Sequence, residues 1–153
     1  MRTPKQLRKS LRTEARALVE TCAGWNSRLA ARRITLFLDR ELAGLGLTVA
    51  QFGLMAQIAV MSDDTLGALA NRAGLEQSTL SRNLRTLEAD GLIEIAIVEA
   101  DLRRRAVWLT ETGARRLEVA IPIWRRANAR LAACVLPILA RELADATKAL
   151  TQI

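Results

Sequence analysis

The sequence predicts a mainly α-helical chain carrying one small β-hairpin wing, and three observations carry that expectation. Three short amphipathic segments separated by tight turns fit between Thr48 and Ala89. After Gly91 the apolar period switches from helical spacing to strict alternation, the mark of strands. On either side of this block lie long stretches with helical periodicity and much apolar surface.

Taken in order, 13–43 reads as one long helix. Leu18, Cys22, Trp25 and Leu29 recur at three-and-four spacing and continue through Ile34, Phe37, Leu38 and Leu42, with Gly24 the weak point. A helix of that length reaches about 45 Å, more than a small domain can cover alone, so a partner subunit is expected. The break at Gly44-Leu45-Gly46 ends it. Thr48 sits three residues before Gln51 as a capping box and opens an apolar helix to about Val60. Asp63 and Asp64 stand as caps for a short helix, 65–72, that stops at Gly74. The next helix runs from Gln77 to Ala89 and closes at Asp90-Gly91. Ile93, Ile95 and Ile97 then alternate along one strand, and Arg105 to Leu109 forms a second, around a charged tip at 99–104. Thr110 caps a final helical region that Pro122 and Pro137 bend or break.

Composition narrows the chemistry. A chain of 153 residues with 50% hydrophobic content is one domain's worth of core. Its formal net charge of +7 points to a polyanion, nucleic acid before an anionic membrane surface. There is no histidine, which removes zinc sites built on histidine, Ser-His-Asp triads and Cys-His pairs. No convergent acid, base or nucleophile set is visible, so an enzyme is not expected, nor is a cofactor or metal. Cys22 and Cys134 are too far apart in sequence for a metal-spaced cluster, and the chain has neither a secretory signal nor an apolar run long enough to span a bilayer. A cytoplasmic protein without a membrane partner is the expectation.

The segment 77–89 carries the strongest chemical signal. On a wheel of about 100° per residue, Leu80, Leu84 and Leu87 cluster as a core stripe. Ser78, Arg82 and Arg85 lie opposite, with Ser81 and Thr86 beside them. Arginine can grip guanine O6 and N7 together, and short hydroxyls suit phosphates or base edges. Gln77, Ser78 and Thr79, at the helix start, would lie deepest in a major groove. A solvated surface helix is the bland alternative. The context weighs against it: a preceding helix and tight turn, and a hairpin whose Arg103, Arg104 and Arg105 could enter a minor groove.

The residues Gly46-Leu47-Thr48, Gln51-Phe52, Leu66 with Leu69-Ala70, Gln77 through Leu84, Leu87-Glu88 with Gly91-Leu92-Ile93, Asp101 with Arg103-Arg104-Arg105, and Leu109-Thr110 with Gly113 together resemble the MarR family of bacterial regulators. The resemblance covers nearly the whole chain. It implies a winged helix-turn-helix lobe at 48–110 within a single domain, 1–153. The frame would be helical dimerisation elements formed by the N-terminal helix, 13–45, and the C-terminal helices, 111–153. It further implies a homodimer on a pseudo-palindromic double-stranded DNA operator, acting as a repressor, with Asp101 orienting the wing by pairing with Arg103 or Arg105.

Relatives of that kind answer to a small, often aromatic effector or to oxidation. Trp25, Asn26, Arg28 and Arg32 offer an aromatic wall, an amide and cations for an anionic ligand, although interface core and solvated arginines would look the same in sequence. Oxidation-sensing relatives carry a thiol near the start of the first helix, about two residues from the place of Cys22, and some carry a second on the dimerisation helices, where Cys134 falls. Those relatives activate the thiol with tyrosine hydroxyls, and this chain has no tyrosine. A structural Cys22 is therefore the expectation, with thiol-based sensing as the alternative. A winged-helix module that binds protein in place of DNA is the remaining rival.

Overall fold

The computed structural model describes residues 4–62, 65–98 and 101–152, with side chains at 8–62, 65–97 and 105–150. The chain resolves into two compact units, 1–37 and 38–153.

The first unit contains helix α1, Pro4–Thr21, and most of α2, Ala23–Leu42. One continuous helix was expected here; the structure interrupts it at Cys22. Backbone bonds from Cys22 N–H to Leu18 O and from Asn26 N–H to Cys22 O persist on either side. Between them side chains take over. The Trp25 N–H donates to Cys22 Sγ at 3.4 Å, and Asn26 Nδ2 donates to Glu20 O at 3.1 Å. The break thus sits next to Gly24, where the helix has least to lose from leaving its ideal geometry.

The second unit begins with the end of α2 and a short 3-10 turn, Ala43–Leu45, closed by Gly46 at φ 67°. Helix α3, Val49–Val60, starts with the expected capping box: Thr48 Oγ1 accepts the Gln51 N–H and Gln51 Oε1 accepts the Thr48 N–H. Asp39 Oδ1 takes the next free donor, Val49 N–H, at 2.7 Å. Four orphan donors open every helix, so this start is unusually well satisfied. Leu47 and Phe52, at the positions of a hydrophobic staple, both enter the core. Helix α4 spans Leu66–Ala73, with Thr65 as its cap and Gly74 in the left-handed region at φ 59°. Asp63 and Asp64, expected as caps, lie outside the described residues.

Helix α5, Gln77–Ala89, ends in a full Schellman motif. Gly91 N–H bonds Glu88 O, and Leu92 N–H bonds Leu87 O. Strands β1, Ile93–Val98, and β2, Asp101–Leu109, pair antiparallel from Ile93↔Leu109 outward, with an irregularity at Ile97/Val98. The second strand is longer than expected. It takes in the backbone of 101–104, which the sequence had suggested as tip. Ile93 is buried, Ile95 half-buried and Ile97 56% exposed, so the isoleucine row leaves the core as the wing extends. An isolated bridge between Thr65 and Ala106 ties the start of α4 to β2.

Helix α6, Glu111–Ala132, runs through Pro122 without breaking. Pro122 and Glu118 are exposed, so the carbonyl that loses its intrahelical partner lies on the watered side. Trp124 stacks on Phe52 at 5.9 Å, and Leu117, Ala120 and Ala127 are buried. Pro137 opens a separate helix, α7, Pro137–Ala146, at the first-turn position where its missing N–H costs nothing. A 3-10 stretch, Thr147–Gln152, follows. Among the described residues no single helix is long and apolar enough to cross a membrane.

A close backbone approach joins α5, the wing and α6. Thr110 N–H donates to Leu92 O, Thr110 Oγ1 donates to Gly91 O at 2.6 Å, and the same oxygen accepts the Gly113 N–H. A Cβ on Gly113 would fall 1.8 Å from Leu92 O, a backbone atom with no room to yield. Gly113→Ala is expected to lose about 3 kcal/mol or more of stability, and Thr110→Val about 1 kcal/mol, both read from urea denaturation midpoints.

Candidate nucleic-acid interface

The site is built on α5, and its geometry follows from which side of that helix the core holds. Leu80, Leu84 and Leu87 are 5%, 4% and 0% exposed, so rotation of α5 about its own axis is prevented at three successive turns. That leaves Gln77, Ser78, Arg82, Arg85 and Thr86 exposed, and Thr79 and Ser81 half-buried. Arg82 and Arg85 form no ion pair with any described residue. Their guanidinium donors are therefore turned to solvent and available.

Two polar side chains on α5 serve the helix itself. Asn83 Nδ2 donates to Thr79 O and Thr86 Oγ1 donates to Arg82 O. Both occupy one flank, and Gln77 and Ser81 occupy the other. There a cleft of about 640 Å³ opens between α4, α5 and the wing. Leu66, Ala70, Leu75 and Ile95 form its apolar floor, and Gln77, Ser81, Arg85 and Arg105 line it with polar groups. Arg105 reaches it from β2, opposite Ile97, and is likewise without an ion pair among the described residues.

The structure thus brings together residues that the sequence had placed in two separate segments. Gln77, Ser81 and Arg85 meet Arg105 across the cleft, while Ser78 and Arg82 stand at the outer edge of α5. Glu88 also lines the cleft, a carboxylate beside these cations. Sequence reading missed the contribution of α4. Gly67 and Ala70 border the cleft. Small residues one turn apart in a short helix were the available signal. The backbones of Asp101, Arg103 and Arg104 belong to β2, and their side chains lie outside the described residues.

The other sequence-predicted residues lie in the first unit and, for Cys134, in the turn between α6 and α7. Trp25 is 58% exposed, and with Arg28, Leu29, Ala31 and Arg32 it borders an open hollow along α2. Asn26 commits an amide hydrogen to Glu20 O and is not part of that lining. Cys22 is half-buried and Cys134 exposed; both are free thiols.

Residues 45–104 match the profile of the MarR family. The transcriptional regulator HosA of Escherichia coli is 39% identical over 77 residues, covering 50% of this chain and 57% of HosA, so the match spans little more than half of that relative. The M. tuberculosis transcriptional regulator MOSR, solved in complex with DNA, is similar over 86% of this chain and 97% of its own, at 36% identity and a TM-score of 0.78. Wild-type MarR of E. coli in its apo form shares the fold, with 22% identity over 84% of this chain and 96% of that one, at a TM-score of 0.63.

The division of α5 into a buried and an exposed edge has a measurable consequence. Arg82→Ala and Arg85→Ala should each change folding stability by less than about 0.5 kcal/mol, whereas Leu84→Ala should cost about 2–5 kcal/mol, by thermal or urea unfolding.

Proposed function

The chain belongs to the MarR family of transcriptional regulators, and from that premise we propose that it represses transcription by binding a pseudo-palindromic DNA operator as a homodimer. The observation that carries this reading is the exposed edge of α5. Its two unpaired arginines and short hydroxyls are held outward by three buried leucines, with Arg105 of the wing across a shared cleft. In this reading α5 enters the major groove. Arg82 and Arg85 contact guanine edges, Gln77, Ser78, Thr79 and Ser81 contact bases or phosphates near the helix start, and Arg103, Arg104 and Arg105 serve the adjacent minor groove and backbone. Asp101 orients the wing.

Dimerisation is supported by apolar surface that each unit leaves uncovered. Leu11, Leu18, Trp25, Leu29 and Leu36 are exposed in the first unit. Leu136, Ile138, Leu139 and Leu143 are exposed at and beyond the start of α7 in the second. Patches of that kind on a small protein mark surfaces meant for a partner. Two copies of α5 related by a two-fold axis then read half-sites about one helical turn apart. The effector in this reading is a small aromatic anion received by Trp25, Arg28 and Arg32, whose exposed guanidiniums flank the indole along α2.

Binding to duplexes selected from a random-sequence pool tests the proposal. The expected log K falls linearly with log salt, with a slope near −0.9 per phosphate neutralised. The double variant Arg82→Ala, Arg85→Ala should retain salt-dependent binding but lose discrimination between selected and scrambled duplexes. No affinity for duplex DNA at about 50 mM salt would sink the reading. Unchanged discrimination would sink the assignment of these two arginines.

A further inference from the structure

Helix α1 carries a cationic face that none of the preceding roles uses. Arg8, Lys9, Arg12 and Arg16 fall within a sector of about 100° when α1 is projected at 100° per residue. All four are exposed, and none forms an ion pair with a described residue. The one carboxylate between them in sequence, Glu14, projects to the opposite side and accepts a hydrogen bond from Ser10 Oγ at 3.1 Å. Four like charges on two and a half turns repel one another, so the row costs helix stability unless an anion neutralises it.

We propose that this face of α1 is a second phosphate-binding surface, which grips the backbone of duplex DNA independently of α5 and the wing. The inference rests on the DNA-binding function proposed above. From Arg8 to Arg16 the helix advances about 12 Å, a span over which one DNA strand presents three or four phosphates. Three of the four cations are arginines, whose planar fork matches phosphate oxygens in pairs. An anionic membrane is the competing occupant for a basic amphipathic helix, and α1 is poorly made for it. Helices that lie in lipid use Trp, Phe and Leu on the apolar face. Helix α1 has no aromatic residue, and its exposed leucines with described side chains are Leu11 and Leu18 alone.

Such a surface reads no sequence. It adds counterion release, and so raises affinity and its salt dependence equally for all duplexes.

The test compares the full chain with the variant Arg8→Gln, Lys9→Gln, Arg12→Gln, Arg16→Gln, in which glutamine keeps helix propensity. Fluorescence anisotropy on a mixed-sequence duplex of about 40 base pairs, between about 50 and 200 mM salt, gives the slope of log K against log salt. For each protomer bound, the slope should become shallower by about 3–4, with affinity at about 150 mM falling more than tenfold. Discrimination between selected and scrambled duplexes should be unchanged. Circular dichroism of the variant establishes that its helix content is intact. A slope that changes by less than about one unit per protomer overturns the proposal while leaving the role of α5 in place. If the parent chain itself shows no DNA binding, both fall together. Binding of the parent but not the variant to phosphatidylglycerol vesicles, with the DNA slope unaltered, assigns the face to a membrane and also overturns it.

Discussion

The contact on which this fold turns is the meeting of Leu92 O with the start of α6. One carbonyl accepts the Thr110 N–H and lies where a Gly113 side chain would have to be. Thr110 spends its hydroxyl twice, donating to Gly91 O and capping the Gly113 N–H. Three elements are therefore joined within a few residues: the Schellman end of α5, the first residue pair of the wing, and the first turn of α6. Only glycine allows the backbones to come this close, and only a hydroxyl can close both bonds. The angle at which α5 leaves the core, and the direction in which the hairpin departs from it, are both set there.

The exposed edge of α5 inherits its geometry from that joint. The leucine stripe holds α5 against α3 and β1, within a core built on Phe52, Met55, Leu69, Leu92 and Val107. The bridge from Thr65 to Ala106 then fixes α4 to β2, so the two sides of the cleft cannot drift apart. An exposed arginine is useful for reading bases only if its helix cannot roll, because bidentate contact with a base edge demands a set position and plane. Buried apolar packing supplies that constraint here, and the polar residues are left without internal partners to satisfy. The arrangement separates the buried, stabilising stripe from the edge proposed for recognition along a single helix.

The first unit follows a different logic. Where α1 meets α2, the helix ladder is replaced over one turn by Cys22 Sγ and the Asn26 amide. Residues that looked like ligand-binding or redox groups therefore have local structural work as well. Exposed apolar side chains on α1 and α2 and a row of exposed cations on α1 leave this unit with both apolar and charged surface open to solvent. The hydrophobic part suits a like partner, since it can be covered without cost on both sides. The cationic part suits an anion, since a second copy would only add charge of the same sign.

By itself the sequence determined the elements that depend on near neighbours. The Thr48–Gln51 box, the Gly74 and Gly91 stops, the leucine stripe of α5 and the alternation in β1 all rest on contacts within a few residues, which spacing reveals. The exposed edge of α5 was legible for the same reason, since a buried stripe defines its opposite. Where expectation and structure part, the deciding contacts are of another kind. The interruption at Cys22 depends on side chains substituting for backbone partners. The passage of α6 through Pro122 depends on which side of the helix faces water. The length of β2 depends on how far its partner strand continues. Above all, the cleft that unites Arg85 with Arg105, and the approach of Gly113 to Leu92 O, join residues 20 positions apart or more. Periodicity cannot report such distances, because it records which side of an element is buried but not what lies against it. Only the packed chain decides that.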